Sequence, residues 1–221
     1  KKPYFGKEPA IGASNSSSKK ISMESMPAIS SGLIQRGEKH ESAIIALHIK
    51  NLSALSSANS ESLRAIDGAL ARAKEKKVKI YVDGDYRVIV LAAPIIKEDI
   101  YLASIKMAVE IEKAIVNSNR KSALKVQYNL GITLGDLIIE SSEGKFKFMS
   151  VDNVIVNAKR IASMTNNGVF ITEELHRRTA GTVKAEKLPD RNLWKVLSVT
   201  DRSEHKEFIE KFMNRQRPER K

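Results

Sequence analysis

Residues 148–172 read FMSVDNVIVNAKRIASMTNNGVFIT. Val154, Ile155, Ala158, Ile161 and Ala162 recur at helical spacing and predict one buried helix face, with Asn157 and Arg160 off its centre. Asn166-Asn167-Gly168 then predicts a stop, because Asn and Gly tolerate the left-handed backbone of a helix end. The apolar run that follows, 168–172, predicts a strand. A helix that leads through such a stop into a strand carries its polar residues to the rim of a sheet.

Composition limits what that sheet belongs to. The chain has 221 residues, 42% of them hydrophobic, enough for one core. We expect one domain over 42–200, a flexible Ser/Gly/Pro-containing linker or extension over 1–41, and a basic C-terminal helix and tail over 201–221. Within the extension, 9–32 has no apolar period, and residues 1–30 carry too few apolar side chains to offset the entropy of ordering them. In the tail, Phe208, Ile209 and Phe212 at helical spacing predict a short helix. No apolar run reaches the length of about 18 residues that a spanning helix needs, so no transmembrane segment is expected. The absence of an initiating Met and of a signal-peptide pattern reads as a chain cut from something longer. With no Cys there is no disulfide framework and no thiolate chemistry, which fits a reducing compartment such as the cytoplasm.

The net charge of +12 raises the question of an anionic partner. It is spread out: seven basic against four acidic residues over 1–41, twenty-four against eighteen over 42–201, and seven against four over 202–221. Aromatics make up 5% of the chain, and no recognition-helix, zinc-finger or aromatic RNA-binding pattern accompanies the charge. Nucleic acid is therefore not the expected partner. An anion-binding adaptor, docking nucleic acid or acidic membrane through dispersed lysines, stays as the third reading of the chain.

The remaining elements follow from pattern. SAIIALHIKNL (42–52) is a continuous apolar run, as expected of a strand buried on both faces. Leu63, Ile66, Leu70 and Ala73 define the apolar face of a helix over 61–77 that closes in lysines. VKIYV and YRVIVLAAP flank Asp83-Gly84-Asp85, a hairpin signal. A long helix is predicted over 98–120. Strands with turns at Gly135-Asp136 and Glu143-Gly144 follow, then the opening helix and strand, a short helix EELHRRT, and a hairpin around Pro189-Asp190. Helices interleaved with hairpins predict an α+β fold, a mostly antiparallel sheet with helices packed on it.

Four stretches in that order resemble the catalytic domain of the class III adenylyl and guanylyl cyclases. IALHIKNLSALS (45–56) stands where the family has a strand entering a turn. VDGDYRVIVLAAP (82–94) is similar to its Gly-Asp hairpin, YNLGITLGDLII (128–139) to its Gly-Ile-His-Thr-Gly strand, and VDNVIVNAKRIASMTNNGVFIT to its Gly-Asp-x-Val-Asn-x-Ala-x-Arg helix with the strand after it. The resemblance covers about 42–199 and implies a ferredoxin-like sheet. It also implies a site shared between two such domains, each donating different groups.

What the resemblance implies for the site falls on seven positions. In the family two aspartates hold two divalent metals that activate a ribose hydroxyl. The first falls here at His48 and is lost; the second falls at Asp85 and is kept. His48 reads either as a core histidine or as a ligand for a softer metal, and Asp85 either as turn chemistry or as a metal ligand. The two base-reading positions fall at Tyr81 and Met149, neither of which supplies the hydrogen bonds that select a purine; Tyr81 is left as a core or base-stacking residue. The transition-state asparagine falls at Val156, counted back from Ala158-Lys159-Arg160, and is lost. The phosphate-binding arginine falls at Arg160, which is kept or simply solvated. A further family lysine corresponds to Lys187, give or take a residue.

With most of these groups replaced, the expectation is a catalytically degenerate cyclase-like domain that works as a dimerising, ligand-sensing or regulatory module. It would need no cofactor, would form a homodimer, and would form a heterodimer where an active cyclase-like domain supplies the missing groups. The alternative is an active but divergent cyclase using a purine nucleotide with Mg²⁺ or Mn²⁺. The dimer expectation rests on a patch drawn from Ile80, Val82, Val88, Val90, Val154 and Ile155.

Overall fold

A computed structural model describes residues 38–200 except 59–60, 94, 97–98, 143–144 and 151–152; for 38, 140–142 and 145–150 it defines the backbone alone. The expectations for 1–30, for the tail helix at 202–215 and for a turn at Glu143-Gly144 lie outside the described residues.

The order is β1 (Glu38–Ile49), α1 (Leu52–Ser57), α2 (Glu61–Glu75), β2 (Lys79–Asp83), β3 (Tyr86–Ala92), α3 (Ile100–Lys121), β4 (Tyr128–Ser142), β5 (Lys145–Ser150), α4 (Val154–Met164), β6 (Val169–Thr172), α5 (Glu173–Arg178), β7 (Val183–Lys187) and β8 (Leu193–Val199). The eight strands form one sheet in the order β2-β3-β1-β4-β6-β8-β7, with β5 also paired to β4. Every pairing is antiparallel except β4 with β6.

β1 is apolar throughout because both its faces are covered. Ala43, Ile45, Leu47 and Ile49 join the larger core with residues of α2, α3 and α5, while Ile44 and Ala46 face α4 with Val88, Val90, Leu137, Val154 and Ala158. α3 is capped by Asp99, whose side chain accepts from the Tyr101 N–H at 2.9 Å, satisfying a donor that the helix leaves unpaired. At the far end of β1, Arg178 of α5 pairs with Glu41 at 3.1 Å and donates to the Tyr101 hydroxyl at 2.6 Å, tying two helices to the strand.

Two expectations change. SALS, expected as part of a turn, forms the short helix α1, anchored by buried Leu55. The expected turn at Gly135-Asp136 does not exist: β4 runs straight through it. The glycine is there for space. A Cβ at Gly135 would lie 2.3 Å from Val154 Cγ2, and one at Gly131 would lie 2.6 Å from both the Ala158 carbonyl oxygen and the Ala162 nitrogen. Two bare positions four apart on one strand face let α4 lie against the backbone of the sheet.

Of the six apolar residues expected to form an outward patch, Val88, Val90 and Val154 are buried inside the chain, Ile80 and Ile155 are half-buried, and Val82 is exposed. No helix among the described residues is long and apolar enough to cross a membrane.

Candidate functional site

The cleft that the sequence points to lies where the end of β1, the β2–β3 turn and α4 meet. Gly84 forms the turn at φ 55°, a backbone region in which a side chain would be strained. The turn is held in two ways: the Ile49 N–H donates to the Asp85 carbonyl oxygen at 2.9 Å, and Arg87 Nη1 donates to the Gly84 carbonyl oxygen at 3.1 Å. Asp85 is thereby placed beside the end of β1 with its side chain exposed.

His48 lies between Tyr86 on β3 and Asn129 on β4. Its ring stacks on Tyr86 with centroids 4.4 Å apart and planes 11° from parallel. Burial pushes its pKa down, against an upward pull from the Asp85 carboxylate; Lys50 adds to the downward shift. The imidazole is therefore neutral near pH 7, and its Nδ1 is enclosed with no hydrogen-bond partner among the described residues.

Lys159 of α4 reaches over the outside of this stack. Its Nζ lies 4.8 Å from the Tyr86 ring centroid and 2.7 Å from Asp83 Oδ2, so a cation already closes the gap between helix and hairpin. In the sequence Lys159 only sets the register of the α4 motif, and Tyr86 belongs to no motif position. The available signal was a bulky aromatic directly after Asp85.

The other positions separate. Tyr81 is half-buried on β2, opposite Val88, and packs on the cluster beneath α4. Met149 lies on β5 opposite Ile138. Val156 is 59% exposed, and Arg160, one turn further on, is exposed on the same side of α4. Lys187 is on β7 with β4, β6 and β8 between it and β1, roughly 19 Å away at the usual strand spacing. There its Nζ is 3.9 Å from Glu173 Oε2 and 5.9 Å from the Trp194 ring centroid. Within one chain, then, His48 and Asp85 come together, with Tyr81 on the neighbouring hairpin strand; Arg160 faces outward and Lys187 lies elsewhere.

Asn129, which the sequence reading did not single out, fixes the helix over this cleft. Fully buried, it donates to the carbonyl oxygens of Ala162 at 2.7 Å and Thr165 at 2.6 Å and accepts from the Asn167 N–H at 2.8 Å. These bonds satisfy the end of α4 and its turn, where Asn167 and Gly168 both take positive φ.

The donor set does not suit a pair of hard divalent cations. Mg²⁺ asks for oxygen ligands in near-octahedral geometry. Here the exposed Asp85 carboxylate stands beside a neutral imidazole stacked on a phenol, the Asp83 carboxylate on the same turn is engaged by Lys159, and no group of three or more His, Cys, Asp or Glu gathers among the described residues.

No protein-family model and no curated protein matches the chain. Solved structures do. The guanylate cyclase domain of RhGC from Catenaria anguillulae, in complex with GTP, is 16% identical with a TM-score of 0.58, over 74% of this chain and 100% of that one. A dimeric guanylyl cyclase domain of the RhoGC fusion protein from Blastocladiella emersonii is 16% identical with a TM-score of 0.59, over 74% and 99%. The adenylyl cyclase CyaB from P. aeruginosa is 12% identical with a TM-score of 0.57, over 74% and 97%. Together with the mixed sheet and its helices, these show an α+β fold like that of nucleotide cyclase catalytic domains. Its fold is that of the class III adenylyl and guanylyl cyclases.

Proposed function

We propose that this chain is a catalytically degenerate member of that fold, acting as a dimerising, ligand-sensing or regulatory module. The observation that carries the reading is the His48–Tyr86 stack beside Asp85. Where the chemistry would need two carboxylates to hold metal, one is replaced by a neutral ring whose Nδ1 is enclosed, and the Lys159 ammonium adds positive charge nearby. Exposed, apolar Val156 adds no polar contact to a transition state. Removing a single preorganised contact of that kind typically costs about 10²–10³ in rate.

The test is cyclic nucleotide formation from ATP and GTP, with Mg²⁺ and with Mn²⁺, by the wild type and by Asp85→Ala. We expect no turnover with Mg²⁺ and at most a trace with Mn²⁺. Activity in the wild type that disappears in Asp85→Ala overturns the reading and restores the divergent-cyclase alternative. Outward-facing Arg160 favours one second reading, in which the domain lends that arginine to the phosphates of a nucleotide held by an active partner domain. Mixing the chain with such a domain would then raise its turnover, and Arg160→Ala would remove the gain.

A further inference from the structure

Along the sequence the positive charge is spread out, but folding gathers part of it. Neither 42–60 nor 113–135 contains an Asp or a Glu. The first stretch carries Lys50 at the end of β1, followed by α1; the second carries Lys113, Arg120 and Lys121 on α3 and Lys125 in the loop to β4. Side-chain bonds bring the two stretches to one corner. The Asn51 amide donates to the Lys125 carbonyl oxygen at 2.9 Å and accepts from the Gln127 N–H at 3.0 Å. Asn119 of α3 holds Val126 by its N–H at 2.7 Å and by its carbonyl oxygen at 3.0 Å, and Ser62 of α2 donates to the Leu124 carbonyl oxygen at 3.3 Å. The loop is thus fixed to three elements. It presents Leu124, 36% exposed, between exposed Ala123 and Lys125.

The cations here differ from those elsewhere. Lys39, Lys76, Lys159 and Arg178 each pair with a carboxylate. Lys50, Lys113, Arg120, Lys121 and Lys125 are exposed and have no ion-pair partner among the described residues; Lys50 bonds only the neutral Asn166 amide, at 3.0 Å. Glu61, which opens α2, is the acidic residue at the border.

We propose that this corner docks on an anionic lipid bilayer, with Leu124 entering the headgroup layer and Lys50, Arg120, Lys121 and Lys125 facing the lipid charges around it. Lys113 extends the same field, two turns back on the outer stripe of α3. An apolar tip ringed by unpaired cations combines the two forces that hold a protein at such a surface, buried apolar area and attraction to anionic lipid. The alternative anion, a nucleic acid, is read by stacked aromatics, and neither acid-free stretch contains an exposed aromatic side chain. Because the loop is already pinned, docking needs little further ordering of its backbone. With a single apolar anchor the attachment is reversible and sensitive to salt. The inference goes beyond the reading of the cleft: a vesicle assay can fail while the nucleotide assay succeeds, and the reverse.

The test is co-sedimentation of the full chain with phosphatidylcholine vesicles, plain or containing about one-third phosphatidylserine. Binding should require phosphatidylserine and be lost at high salt. Each basic residue at such a surface strengthens binding roughly fivefold, so Lys121→Glu with Lys125→Glu should weaken it by at least about twentyfold. Both side chains are exposed, and an unchanged urea midpoint will show that the fold is kept. The chain has no native cysteine, so a polarity-sensitive dye on Leu124→Cys reports one position. Its emission should shift to the blue on anionic vesicles, and the same dye on Lys184→Cys of β7 should not respond. Equal binding to plain vesicles would overturn the proposal. So would binding indifferent to the double reversal, which would move the contact to another surface such as the basic tail, or a dye that responds at Lys184 and not at Leu124. Tighter binding to RNA or to an acidic polypeptide than to the anionic vesicles, abolished by the same reversal, would assign the corner to that partner instead.

Discussion

Replacing Gly131 by alanine should be among the most damaging single-methyl additions in this chain. The new Cβ would sit 2.6 Å from the Ala158 carbonyl oxygen and the Ala162 nitrogen and 2.9 Å from Ile161 Cβ. The first two distances fall 0.8 Å short of the 3.4 Å at which ordinary contact begins. The obstacles are helix backbone, which cannot rotate away, so α4 must retreat as a body. A gap of about 0.5–1 Å forfeits a quarter to a half of each dispersion contact along the face it leaves. The retreat also stretches the Asn129 bonds to Ala162 and Thr165. Overpacking typically costs about 1–3 kcal/mol, and these two losses put Gly131→Ala near the top of that range. At about 2–4 °C per kcal/mol for a domain of this size, the melting temperature should fall by roughly 6–12 °C. Gly68→Ala serves as the internal control. Its Cβ would meet only Arg72 Nη1, at 3.9 Å, inside a helix, so it should stabilise by about 0.5–1 kcal/mol. Chemical denaturation of both variants decides the matter: if Gly131→Ala is as stable as the wild type, the close packing of α4 on β4 is wrong.

Two further perturbations probe the same region. Asn129→Leu strands the carbonyl oxygens of Ala162 and Thr165 and the Asn167 N–H, and should cost about 3 kcal/mol or more, read as an earlier urea midpoint together with faster amide exchange at the end of α4. His48 should make stability depend on pH. Because its folded pKa lies below the unfolded imidazole's, the unfolded chain binds more protons between the two values. Stability from this group is therefore complete above the unfolded pKa near about 6.5 and declines as pH falls below it. His48→Phe should flatten that part of the profile, and an unchanged slope would show that His48 is not the group responsible.

Much of this architecture is legible in local pattern. The two-sided apolar run of β1, the Asp-Gly-Asp hairpin, the apolar face of α4 and its Asn-Asn-Gly stop each follow from spacing and turn chemistry, since hydrophobic periodicity reports which face of an element is covered. Candidate site positions His48, Tyr81, Met149 and Val156 could be picked out in the sequence as well, as what the resemblance of the four stretches implies. Pattern alone could not say what a glycine is for. Gly135 beside Asp136 has the composition of a turn, yet a missing Cβ serves close approach as readily as positive φ, and the position of α4 decides between them.

The contents of the cleft were likewise a tertiary matter. That Tyr86 would stack on His48, that Lys159 would bridge to Asp83 across 76 positions of chain, and that Lys187 would lie with three strands between it and β1 all depend on sheet order and on how closely one helix lies against it. A residue's type determines which contacts it can make. Its distance from partners remote in sequence is set by the packing of whole elements, and that distance separates a kept charge from a working site.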